Sequence, residues 1–183
     1  MIRAAAALAL ALAAAATAAP ARGAAAPDPP AQGDPATPAD APARGAAELD
    51  ARQIRAEIEG LHRALERFFA DRKIEPVMKH YEALVQYFSP SGQREGREQI
   101  RKRLQAHSAR VKDFHTRVSP MTIRVSGDLG WAACAVHEAY TFDGKPGEED
   151  LVSTYVLERK PPGWRIVHEH QSLYLGGEED AAP

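Results

Sequence analysis

The sequence predicts an α+β fold, with helices first and an antiparallel sheet after them. Two observations carry this. Apolar residues recur at helical spacing over residues 54–68 and again at 100 and 104, and beyond residue 110 apolar and polar residues alternate with a period of two between turn signals. A third observation sets the limits of the folded unit: residues 19–47 are dominated by Ala, Pro, Gly and Asp and have too little apolar surface to offset the entropy of ordering. The implied organisation is a signal peptide over 1–18, a disordered Ala/Pro-rich spacer over 19–47, one domain over 48–175 and a flexible tail over 176–183.

Met1 to Ala18 has the form of a secretory signal: a positive start at Arg3, an Ala/Leu run, and small residues ending Ala16-Thr17-Ala18. The run falls short of the about 20 strongly apolar residues that span a bilayer. The expectation is a periplasmic or secreted protein with no membrane anchor. The single cysteine, Cys134, forms no intrachain disulfide and reads as a small buried hydrophobe. A net charge of −2 gives no reason to expect a nucleic-acid partner. Arg94, Arg97, Arg101, Lys102, Arg103, Arg110 and Lys112 read as the solvated face of a helix and its flanks.

Ile54, Ile58, Leu61, Leu65 and Phe68 are spaced by four, three, four and three residues, which predicts one long amphipathic helix over Glu48 to Arg72. Glu75-Pro76 opens a short second helix, since proline in a first turn forfeits an amide that has no partner there; Val77 and Tyr81 turn inward. Ala83 to Phe88 reads as a strand, Ser89-Pro90-Ser91-Gly92 as a turn, and Arg94 to Ala109 as a third helix with Ile100 and Leu104 on its core side. Strands then follow over Lys112 to Ser126, Leu129 to Phe142, Asp150 to Lys160 and Trp164 to Tyr174. They are separated by Gly127-Asp128, Gly144-Lys145-Pro146-Gly147 and Pro161-Pro162-Gly163.

Folding each hairpin about its turn places Met121, Ile123 and Val125 beside Ala132 and Cys134, Val136 opposite Tyr155, and Tyr155 opposite His168. Glu138 and Ser153 fall in line with His170. On the last strand Trp164, Ile166, His168, His170 and Ser172 share the core face, and Arg165, Glu169 and Gln171 take the other. The outer face is rich in small and branched apolar residues, among them Ala133, Ala135, Val152, Val156 and Val167, which predicts a homodimer through that face.

This order of elements resembles the SnoaL-like branch of the nuclear transport factor 2-like superfamily. The likeness runs from about Ile54 to Leu173. It includes Gly96 after the Ser89-Pro90-Ser91-Gly92 loop and the Trp-x-Ile-x-x-x-His ending at Trp164, Ile166 and His170. The resemblance implies a cone-shaped, curved antiparallel sheet packed on N-terminal helices, a cystatin-like roll with a pocket at its open end. That architecture hosts isomerases, dehydratases, cyclases and plain binding or assembly domains. Counting back from Gly96, the position similar to the Asp base of ketosteroid isomerase is Tyr87, and the first helix presents Leu61, Leu65 and Phe68 with no inward tyrosine. The resemblance therefore implies a pocket and no inherited steroid isomerisation.

The candidate catalytic pair is His170 with Glu138, bridged by Ser153, because a carboxylate beside an imidazole orients it and raises its basicity. The competing reading makes His170 a core histidine bonded to a helix carbonyl or to Tyr81. Tyr81, Tyr87, Ser153, Tyr155, Trp164 and His168 are the candidate ligand-binding residues, giving aromatic walls with polar tips. His168 and His170 share a face as metal ligands would, with Glu138 as a third, yet no further histidine joins them; no metal and no cofactor is assigned. The expected function is a pocket for a small, largely apolar molecule, with binding placed ahead of catalysis. The alternatives are a cofactor-independent isomerase, cyclase or lyase using His170 and Glu138, and a dimeric assembly module with a filled cone.

Overall fold

The computed structural model describes residues 41–174; the segments expected to be a signal peptide and a tail, and most of the expected spacer, lie outside the described residues. In chain order the elements are α1 (Ala41–Asp71), α2 (Glu75–Met78), β1 (Tyr81–Phe88), β2 (Arg94–Glu95), α3 (Arg97–Ser108), β3 (Val111–Val118), β4 (Thr122–Ser126), β5 (Leu129–Phe142), β6 (Lys145–Lys160) and β7 (Gly163–Leu173). The α+β class is the one the sequence predicts. One sheet runs β2-β1-β7-β6-β5-β3, with β4 also paired to β5. All pairings are antiparallel except that of β1 with β7.

Helix α1 starts at Ala41, within the stretch assigned to the spacer, and lays the predicted stripe against the sheet: Ile54, Ile58, Leu61 and Phe68 are fully buried and Leu65 partly so. Two segments are subdivided relative to the sequence reading. Arg94 and Glu95 pair with β1 before α3 begins, and Ser119-Pro120-Met121 breaks the long strand into β3 and β4. At the break the Ser119 hydroxyl accepts the Ala135 amide at 2.9 Å.

Two features decide which residues face inward. The β5–β6 hairpin turns at Asp143-Gly144, both with positive φ (50° and 79°), rather than over Gly144 to Gly147. Asp-Gly is the pair a tight two-residue hairpin prefers, because both positions occupy the left-handed region. Pro146 joins the strand, so Val136 faces Leu151 instead of Tyr155, and Glu138 faces Glu149. The slip is an even number of residues, so each side chain keeps its predicted face.

The second feature reverses a face. Leu157 pairs with Ile166 but Val156 pairs with His168, leaving Val167 as an extra residue in β7. Such a bulge shifts the alternation by one. Trp164 and Ile166 point inward before it; Glu169 and Gln171 point inward after it. His168 and His170 are carried to the outer face, where both lie against the Phe88 ring. A second bulge in β3, with Asp113 at φ 51°, adds to the curvature that lets the sheet wrap around α1. Among the described residues no helix is long and apolar enough to cross a membrane.

Candidate functional site

The concave side of the sheet has a dry end and a polar end. At the dry end Ile54, Leu157, Trp164 and Ile166 are buried together, and a Cβ on Gly130 would meet Ile54 Cδ1 at 2.3 Å. Trp164, whose ring is covered by the Arg159 guanidinium at 4.6 Å from the ring centre, belongs to this packing. At the polar end a cavity of about 350 Å3 opens between α3, the end of α1 and the inner face of the sheet. Its apolar wall comes from Leu65, Phe69, Ile100, Leu104, Phe114 and Leu151. Its polar wall holds Glu95, Glu138, Glu149 and Glu169 with Arg103, Tyr81, Tyr87 and Gln171.

Most of these polar groups are engaged with each other. Tyr81 donates its hydroxyl to Glu169 at 2.7 Å, Tyr87 donates to Gln171 at 2.7 Å and Tyr140 donates to Glu149 at 2.6 Å. Arg103 donates from Nε to Glu95 at 2.8 Å and stacks over Tyr87 at 4.9 Å from the ring centre. Glu138 differs. It is only 7% exposed, it lines the cavity, and no hydrogen bond from a described residue reaches its carboxyl.

Burial in low dielectric disfavours the charged form of a carboxyl, and like charges nearby add to that. For Glu138 burial comes first, then repulsion from Glu149 and Glu169, with Arg103 opposing; its pKa is pushed up to about 8. Burial raises Glu169 to about 7 despite the hydrogen bond from Tyr81 and the nearby Arg103. Burial also drives the Tyr87 hydroxyl well above its ordinary range. At neutral pH Glu138 is therefore mainly a neutral acid facing open space, able to donate a hydrogen bond or a proton.

The structure brings together Glu138, Tyr81 and Tyr87 from the predicted set. It does not bring His170 to Glu138: the bulge at Val167 puts them on opposite sides of the sheet, and Glu169 takes the place His170 was expected to fill. His168 moves outward for the same reason. Ser153 and Tyr155 are fully buried in packed core, with Tyr155 hydroxyl 3.0 Å from His62 Nε2 and His62 Nδ1 3.1 Å from Thr116 Oγ1. Burial, with His80 nearby, lowers the His62 pKa to about 4. Cys134 is buried, and burial raises its thiol to about 11. Among the described residues no three His, Cys, Asp or Glu side chains form a metal-binding group.

Sequence reasoning missed Glu149, Glu169, Glu95, Arg103, Gln171 and His62. The Asp143-Gly144 pair was a readable signal for the register that seats Glu149 beside Glu138. The Val167 bulge has no glycine to announce it. Arg103 was grouped with solvated cations, though it follows Ile100 by three residues and so shares its inward side.

A curved open sheet with helices packed on its concave side is the nuclear transport factor 2-like architecture, seen in solved structures with this fold. One is a proposed dehydratase of that family from Streptomyces avermitilis, 18% identical, with a TM-score of 0.63 over 70% of this chain and 99% of that one. Another is a proposed aromatic ring hydroxylase from Novosphingobium aromaticivorans, 15% identical, with a TM-score of 0.65 over 70% of this chain and 92% of the other. A third, from the same organism, is a nuclear transport factor 2-like protein with a cystatin-like fold, 20% identical, with a TM-score of 0.60 over 78% and 93%. Residues 55–176 match the SnoaL-like domain, and the chain belongs to that family. No curated protein matches the sequence.

Proposed function

We propose that the cavity binds a small molecule of largely apolar surface and that Glu138 exchanges a proton with it, in an isomerisation or elimination that draws on no cofactor. The observation that supports this most is the Glu138 carboxyl: buried, raised in pKa to about 8, and facing open volume while its neighbours are paired. An enzyme of this kind needs a titratable group near neutral pH with room for substrate beside it. Glu169, held by Tyr81 and raised to about 7, supplies a second group that can carry the complementary protonation state. The pair titrates as a unit, so activity should follow a bell bounded near those two values.

A second reading is a carrier that binds without turnover, favoured by the hydrogen bonds that already hold Tyr81, Tyr87 and Tyr140. Export, resting on Met1 to Ala18, and a homodimer through the outer sheet face, resting on exposed Trp131 and Val152 and half-buried Val156, belong to the same proposal. The test is native mass spectrometry of the protein purified gently from its own host, followed by assay of the retained molecule with wild type and Glu138→Gln. Turnover that drops about 100- to 10,000-fold in the variant with binding kept supports the proposal. Equal turnover contradicts it, and a retained molecule that no form converts establishes the carrier.

A further inference from the structure

The charge inventory of the cavity narrows the class of molecule it takes. Facing the open volume are Glu95 from β2, Glu138 from β5, Glu149 from β6 and Glu169 from β7, against Arg103 and His107 from α3. Both basic groups already have partners. Arg103 is held by Glu95 and stacked on Tyr87, and His107 donates its Nδ1 hydrogen to the Arg103 carbonyl at 2.7 Å. A carboxylate or phosphate ligand entering here would meet four carboxyls against two basic groups that already have partners.

The opposite charge fits. Glu138 is more than nine-tenths buried, faces the cavity and takes no hydrogen bond from a described residue, so its lone pairs are open to a donor. Phe69 and Phe114 supply apolar ring surface along the same cavity. The volume of about 350 Å3 suits a molecule of one or two rings. We infer that the cavity selects a compact amine, with its apolar body against the Phe69 and Phe114 side and its ammonium held by Glu138 within the carboxyl cluster. This rests on the cavity being the functional site, as proposed above, and adds the substrate class.

An ammonium favours ionised carboxyls, so on binding Glu138 releases its proton to solvent and becomes a carboxylate beside the substrate. Amine affinity must then rise with pH between about 6 and 8, while Glu138 and Glu169 lose protons and the amine keeps its charge.

The experiment is calorimetric titration of the full-length protein with matched probes of three charges on phenyl and naphthyl rings: 2-phenylethylamine, 2-phenylethanol and phenylacetate, and 1-naphthylmethylamine, 1-naphthylmethanol and 1-naphthoate. Each is run at pH 6 and pH 8, and at pH 7 in two buffers of different ionisation enthalpy. The expected result is an amine bound at least about tenfold more tightly than its alcohol, no binding of the carboxylate, an affinity rising about tenfold from pH 6 to pH 8, and a buffer-dependent heat reporting proton release. Glu138→Gln, which keeps the side-chain shape, should weaken the amine about tenfold and leave the alcohol within about twofold. Alcohol bound as tightly as amine, or carboxylate bound best, overturns the amine assignment and leaves the cavity reading standing. Binding by no probe of either ring size overturns both.

Discussion

The two ends of the concave face are built from the same strands and do opposite things. At the dry end Trp164, Ile166, Leu157 and Ile54 fill the space until glycine is the one residue that fits at position 130. At the other end β5, β6 and β7 place Glu138, Glu149 and Glu169 around open volume. The first arrangement stabilises the fold by burying apolar area. The second costs stability when Glu138 or Glu169 ionises, since a buried charge is disfavoured unless paired. One bulge at Val167 separates the two on β7. Sites that oppose folding in this way are where chemistry is concentrated.

Breaking the dry end should have the largest effect. Trp164→Ala is expected to cost about 3–5 kcal/mol, read by urea unfolding, because a fully buried indole leaves a cavity behind. Changing the polar end should do the reverse. The native state holds protons on Glu138 up to about pH 8, whereas the unfolded chain releases them near the usual 4.5. The native state therefore binds more protons in that window, and stability from this group falls as pH rises through it. Glu138→Gln should match wild type below about pH 5 and exceed it by a few kcal/mol above pH 8. His62 works in the other direction: its pKa, lowered to about 4, makes its contribution present above the usual 6.5 and lost on acidification, so only the difference between variant and wild type isolates Glu138.

A smaller change sharpens the contrast further. Tyr81→Phe removes the hydrogen bond that holds Glu169 down, so the Glu169 titration should move above about 7, with a loss of about 1–3 kcal/mol at pH values where it is ionised. Val156→Glu lies on the outer face and should leave both ends intact while halving the mass seen by light scattering; an unchanged mass would remove the basis for the dimer.

Much of the fold was legible because it rests on periodicity. The stripe from Ile54 to Phe68, the proline at Glu75-Pro76 and the alternation over Leu129 to Phe142 each encode their element locally. Glu138 was legible for the same reason, since its face survives the slip at the Asp143-Gly144 turn. The partner of Glu138 was not. An extra residue in a strand is fixed by the curvature of the whole sheet, and Val167 is an ordinary strand residue, so alternation read through it exchanges His170 for Glu169. Arg103 was misplaced because a charge next to charges reads as solvent-facing until Glu95 and Tyr87 are seen against it.

The most direct test of the account is the titration of the Glu138 carboxyl itself, followed by carbon NMR on protein labelled at the glutamate side chains and assigned by the signal lost in Glu138→Gln. A midpoint at about 8, with coupled movement of the Glu169 signal near 7, is the predicted result. A midpoint close to the ordinary 4.5 would mean a solvated carboxylate at the cavity wall, and would contradict both the acid–base role of Glu138 and the contrast between the two ends.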